Sequence, residues 1–201
     1  EEVVAAFLTE PDPEKRLAWV REVEAVRGHW ESYDEQALSA TSEQWKRLGM
    51  SVVEGLSVTA FAVAFEDGTF RLLEVVEGEE GFRVDWESYA RYCSVPLGDF
   101  VVGKGADEAL VRVFVRPGDY YNVPFDDRSK WVGFRFESPD MELGQYAFGV
   151  GDSAAIRSLQ EYVMKSRQLR QHVTLRLKRR ESLRGQYLFE IVEVVAIGWV
   201  E

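Results

Sequence analysis

Apolar residues recur every three or four positions up to about residue 50 and then every second position, and that change of period organises the chain. "EVVAAFLT", residues 2–9, predicts a short helix stopped by Pro11. Asp12 reads as the N-cap of a second helix, with Pro13 at its first position and Glu14 in its first turn. Leu17, Val20, Val23, Val26, Trp30 and Tyr33 then form one apolar stripe, which predicts a single amphipathic helix bent near Gly28. Thr41 and Gln44 form a capping-box signature for a third short helix ending at Gly49.

From Leu56 the alternation is that of strands. "LSVTAFAVAFEDGTFRLLEVVEGEEGFRVDW" predicts three antiparallel strands, with a hairpin at Asp67-Gly68 and a second turn at "EGEEG". Phe61, Val63 and Phe65 should share one face of the first strand, and Phe82, Val84 and Trp86 one face of the third. Residues 93–109 lose the period, carry Pro96, Gly98, Gly103 and Gly105, and read as a connection. "LVRVFVRPGDYYN", "KWVGFRFES" and "GQYAFGV" are further strands, followed by a helix carrying Ile156, Leu159, Tyr162 and Val163. "HVTLRLKRR" and "QYLFEIVEVVAIGWV" are the closing strands. Three strands, a helix and two strands is the element order of an OB-like barrel. The expected fold class is therefore α+β in two domains: residues 1–104, N-terminal helices on a curved antiparallel sheet, and residues 105–201, a small OB-like barrel with one helix.

Charge supports the division. Residues 1–104 hold ten Lys/Arg against 21 Asp/Glu, whereas residues 105–201 hold 14 of each. The acidic first half argues against nucleic acid as a partner. No apolar run is long enough to span a membrane. The chain begins "EEVV" without an initiator Met, which raises the expectation of a removed upstream segment and of an extracytoplasmic location behind a signal peptide or anchor. Cys93 is the only cysteine, which excludes an internal disulfide and a cysteine-based zinc site. His29 and His172 are the only histidines, which excludes a His-rich metal site, and no cofactor or metal is assigned.

The most residue-specific stretch is "GFRVDWESYARY", residues 81–92. Asp85 and Glu87 flank Trp86, and paired carboxylates can divide acid and base roles. On a strand they would share a face; alternatively, Asp85 ends the strand and caps a short turn or helix at 87–92, the reading favoured here. Asp85, Glu87 and His29 are the ligand-pocket candidates. "RPGDYYNVPFDD", residues 116–127, is oxygen-rich but lacks the alternating spacing of a calcium loop, so it reads as a turn. "FGVGDSAA", residues 148–155, has a glycine-rich strand-to-helix turn but no parallel sheet around it to make a nucleotide site. Arg176, Lys178, Arg179 and Arg180 make strand 173–180 the candidate for an anionic partner, lipid or single-stranded nucleic acid, against docking or solvation as the plainer role. Nucleophile signatures are missing, and Cys93 reads as a small buried hydrophobe.

The helices, the hairpin at Asp67-Gly68 and the "GFRVDW" strand together resemble the NTF2-like superfamily. "FL…EKRLAWVR" ahead of "VDW" is similar to uncharacterised exported or membrane-anchored bacterial proteins. The first resemblance implies N-terminal helices across a curved sheet, often with a conical pocket that some members equip with an Asp/His acid–base pair. Only His29 stands in this half, so the catalytic pattern is not evident. The expected function is a non-enzymatic binding or assembly module with a protein partner or self-association; the alternatives are a small-molecule binder or enzyme using the first half, and an anionic-partner protein.

Overall fold

In the computed structural model the described residues are 1–30, 44–53, 55–65, 68–139, 143–165, 170–183 and 185–200. The chain is α+β and forms two compact units, whose main segments are Glu1–Tyr92 and Cys93–Trp199.

In the first unit, α1 (Glu2–Thr9) and α2 (Pro13–Arg16) are joined by a turn in which Asp12 accepts the Glu14 amide at 3.0 Å. A 3-10 turn (Leu17–Trp19) leads to α3 (Val23–Trp30). Four antiparallel strands follow in sequential order: β1 (Gln44–Val53), β2 (Leu56–Ala64), β3 (Phe70–Gly78) and β4 (Gly81–Asp85). Cross-strand register puts Arg47, Phe61 and Leu73 in one row, and Met50, Thr59, Val75 and Val84 in the next. The helices bury Val4, Phe7, Leu17, Val20, Val26 and Trp30 with Phe61, Val63, Leu73, Val75 and Val84 of this sheet face. A fully buried side chain of this kind contributes about 1.5–3 kcal/mol, so this layer holds the unit together. A short helix, α4 (Trp86–Ala90), begins where β4 ends.

In the first unit the structure departs from the periodicity reading at three places. The stripe from Leu17 to Trp30 is buried, but not as one helix. Val20 is extended and bridges Val84, Arg21 N–H donates to the Val84 carbonyl at 3.0 Å, and Glu22 has φ 53°. A strand-like contact interrupts the helix at Val20–Glu22, and Gly28 lies inside α3. Tyr33 and Thr41 fall outside the described residues. Gln44–Gly49 is strand rather than helix, because β2 offers a pairing edge along its whole length. A register shift between Arg47 and Gly49 breaks the alternation that would have announced it. Phe82, expected in the core with Val84 and Trp86, is 50% exposed near the tip of the hairpin closed by Gly78 and Gly81.

The second unit opens with α5 (Leu97–Val101), inside the segment read as a connection; Leu97 and Phe100 enter the core. Five strands close into a barrel: β5 (Glu108–Pro117), β6 (Trp131–Glu137), β7 (Gln145–Val150), β8 (Gln171–Glu181) and β9 (Tyr187–Ile197), in spatial order β5-β6-β7-β9-β8. The β7–β9 pairing is parallel and the other four are antiparallel. Between β7 and β8 lies a helix, α6 (Ala154–Lys165). Inward residues Val111, Val113, Val115, Phe134, Phe136, Val173, Leu175, Leu177 and Phe189 fill the interior, joined by Ile156, Leu159 and Val163 of α6. The loop from Gly118 to Lys130 folds back over the outside of β6 and β7. Phe125 stacks on Phe148 at 4.5 Å, and Gly133 N–H donates to the Tyr121 hydroxyl at 3.1 Å.

Candidate functional site

Asp85 sits at the junction of β4 and α4 and serves as the N-cap of that helix. Its carboxylate accepts the Ser88 amide at 2.8 Å and an Arg21 guanidinium N–H at 3.2 Å. Asp is favoured at this position because its short side chain reaches the otherwise orphaned amides of the first turn. Arg21 in turn bridges to Glu22, and the Ser88 hydroxyl donates to the buried Glu74 carboxylate. Asp85 is therefore a buried, multiply bonded structural anion.

Glu87 lies on α4, not on a strand face with Asp85. It meets His29: Nε2 stands 2.8 Å from Oε1, and the imidazole stacks on Tyr92 at 3.9 Å between ring centres. Trp86 stands at 5.7 Å from His29 and 4.9 Å from Trp30. The packing of α3 against α4 thus brings together two of the ligand-pocket candidates, 58 positions apart (29 and 87). A histidine oriented by a carboxylate is one component of acid–base machinery, but it also needs a reacting group within hydrogen-bond reach. Nearby, burial pushes the Tyr89 phenol up to about 12, against a smaller opposing pull from Arg71 and Arg16. Tyr89 therefore stays neutral in this core.

An open cavity of the first unit lies elsewhere. It has a volume of about 540 Å³ and is lined by Glu1, Glu2, Val3, Arg47, Thr59, Phe61, Val75 and Phe82. None of Asp85, Glu87 and His29 lines it. Phe61, Val75, Thr59 and Phe82 of the sheet and Glu1, Glu2 and Val3 at the start of α1 line it, and Arg47 on β1 is an exposed cation on its wall. Among the described residues Arg47 has no carboxylate partner. The sequence reading missed this site because Arg47 lay in a segment assigned to a helix and Phe82 was assigned to the core.

Strand β8 carries the basic candidates, and most are engaged internally. Arg176 pairs with Glu193 at 2.9 Å and Arg180 with Glu190 at 2.5 Å, both across the β8–β9 ladder. Arg179 is buried: its guanidinium donates to the carbonyls of Phe100, Lys104 and Gly105 and to the Asp107 carboxylate at 2.7–3.2 Å. It also lies over the Phe100 and Tyr187 rings. Arg179 is a clamp for residues 100–107. Lys178 is half-buried opposite Glu190.

The oxygen-rich loop satisfies itself. Asp127 accepts the Ser129 amide and hydroxyl at 2.9 and 2.6 Å, bonds that hold its carboxyl below the ordinary range. Among the described residues no group of three or more His, Cys, Asp and Glu side chains is placed to hold a metal ion. The glycine-rich turn is explained by packing, since a Cβ on Gly149 would stand 2.1 Å from Ile156 Cδ1 of α6. Cys93 is buried in the barrel core. Among the described residues no helix is long and apolar enough to cross a membrane. No family model matches the chain, and neither the curated proteins nor the solved structures contain a match.

Proposed function

We propose that the chain is a non-enzymatic binding module whose first unit holds a small amphipathic ligand in the cavity at the end of its sheet. The cavity carries the reading. Its volume falls within the roughly 300–1,000 Å³ of ordinary ligand sites, and apolar Val3, Phe61, Val75 and Phe82 share its lining with polar Glu1, Glu2, Arg47 and Thr59. Phe61, Val75 and Phe82 would take an apolar body, while Arg47 and Thr59 would orient an anionic or hydrogen-bonding end. Helices followed by a sequential antiparallel meander support a cystatin-like or NTF2-like first unit. The strand order β5-β6-β7-β9-β8, with α6 between β7 and β8, supports an OB-like second unit. The separation of the His29–Glu87 pair from the cavity favours binding over acid–base chemistry.

A suitable probe is 1-anilinonaphthalene-8-sulfonate, an aromatic body with one fixed anion. The expected result is saturable one-to-one binding to the full chain, lost in Phe82→Ala, weakened in Arg47→Glu and retained in His29→Gln. Non-saturable binding, or binding indifferent to both cavity variants, would reject the reading.

Assembly is favoured by a separate observation. β1 presents a ten-residue outer edge, unpaired among the described residues, with Leu48, Met50 and Val52 exposed. Such an edge is a template for another strand. Sedimentation at rising concentration should show a dimer that Met50→Lys abolishes; a monomer at all concentrations would discard self-association.

A further inference from the structure

The second unit presents two arginines differently from all its other strand arginines. Arg116 on β5 and Arg135 on β6 are direct cross-strand partners. Inward neighbours Val115, Phe134 and Phe136 fill the barrel, so Arg116 and Arg135 project from its outer face, beside Tyr146 of β7. Directly opposed like charges destabilise a sheet, since their Cβ atoms stand only about 5 Å apart. Elsewhere on the barrel the protein answers such charge internally: Arg170 with Glu137, Arg176 with Glu193, Arg179 with Asp107 and Arg180 with Glu190. Among the described residues neither Arg116 nor Arg135 has a hydrogen-bond or carboxylate partner, and the Nε of each is buried. The acid next along that face, Glu137, is engaged with Arg170 at 2.8 Å. Arg135 is also held in place. It lies over Gly144, where a Cβ would stand 2.6 Å from its Nε and 3.2 Å from its Nη2.

We propose that Arg116 and Arg135 form a binding site for a phosphate monoester. Two planar guanidinium groups side by side match a dianion with three terminal oxygens, and each can donate in parallel to two of them. A monocarboxylate would neutralise only one of the pair. The site lies within the second unit and does not depend on the cavity of the first.

Titration of the full chain with phenyl phosphate at pH 7.5 and low salt, followed by calorimetry, tests it. The expected result is saturable one-to-one binding. Arg116→Gln and Arg135→Gln should each weaken it about tenfold or more, the loss of charge-assisted bonds. Gly144→Ala keeps both charges but displaces the Arg135 guanidinium, and it should weaken binding as well. Arg176→Gln, on a paired arginine, should leave it unchanged. Neither glutamine variant is expected to melt below the parent, because each removes like-charge repulsion. Absence of saturable binding, binding indifferent to both glutamine variants, or equal weakening by Arg176→Gln would overturn the proposal.

Discussion

Asp85→Ala separates a structural acid from a functional one by the sign of a stability change. In the structure the Asp85 carboxylate makes two distinct contributions. Its bond to the Ser88 amide caps α4, and losing such a cap costs about 1 kcal/mol. Its charge-assisted bond with Arg21 is largely shielded from solvent and contributes about 1.5 kcal/mol; Glu22 still balances the arginine after the change. Together these predict a loss of about 2.5 kcal/mol. Asp85→Asn should lose only the second part, about 1.5 kcal/mol, because Asn caps nearly as well as Asp. Urea denaturation read by tryptophan emission is suitable, since Trp86 and Trp30 stand beside the site. An acid retained for catalysis generally leaves a protein more stable when it is removed. Asp85→Ala at or above parental stability, or Asp85→Asn as damaging as Asp85→Ala, would refute the structural assignment.

Three further outcomes follow from buried polar groups. Arg179→Met should cost about 3–5 kcal/mol in urea denaturation, because it strips four acceptors from residues 100–107 at once; a loss below about 1 kcal/mol would mean the clamp is not needed. The Tyr89 hydroxyl is buried and has no hydrogen-bond partner among the described residues, so Tyr89→Phe should be neutral or stabilising by up to about 1 kcal/mol, read as an unchanged or raised denaturation midpoint. Burial holds the His172 imidazole below its ordinary range of about 6.5, so the unfolded chain binds the proton first. Its contribution is complete above about pH 6.5 and declines as pH falls from there toward the lowered folded value. Stability followed from pH 7.5 to 5 should fall less steeply in His172→Gln than in the parent.

Much of the fold was legible where periodicity and turn chemistry agreed. The hairpin between Gly78 and Gly81, the Asp12-Pro13 helix start and all five barrel strands carry their own local signals. The misplaced elements are those decided by contacts distant in sequence. Val20 leaves the helical path to bridge Val84, 64 positions away (84 against 20), and no local pattern records that. β1 looked helical because its bulge after Arg47 disrupts alternation and its pairing partner follows only later in the chain. The site divides in the same way. Asp85 could be read as a cap from the strand-to-helix change alone, whereas Glu87 meeting His29 needs α3 and α4 packed together. The Arg116–Arg135 pair depends on strand register, which residue spacing does not reveal. The charge on β8 looked available because Glu190 and Glu193, its partners, lie on the next strand.

Two-dimensional amide NMR of the full chain during titration with 1-anilinonaphthalene-8-sulfonate tests the central claim directly. The cavity account predicts saturable shifts concentrated at Arg47, Thr59, Phe61, Val75 and Phe82, with His29, Asp85 and Glu87 unmoved. Shifts centred on His29, Glu87 and Tyr92 instead, or spread without saturation over both units, would contradict it.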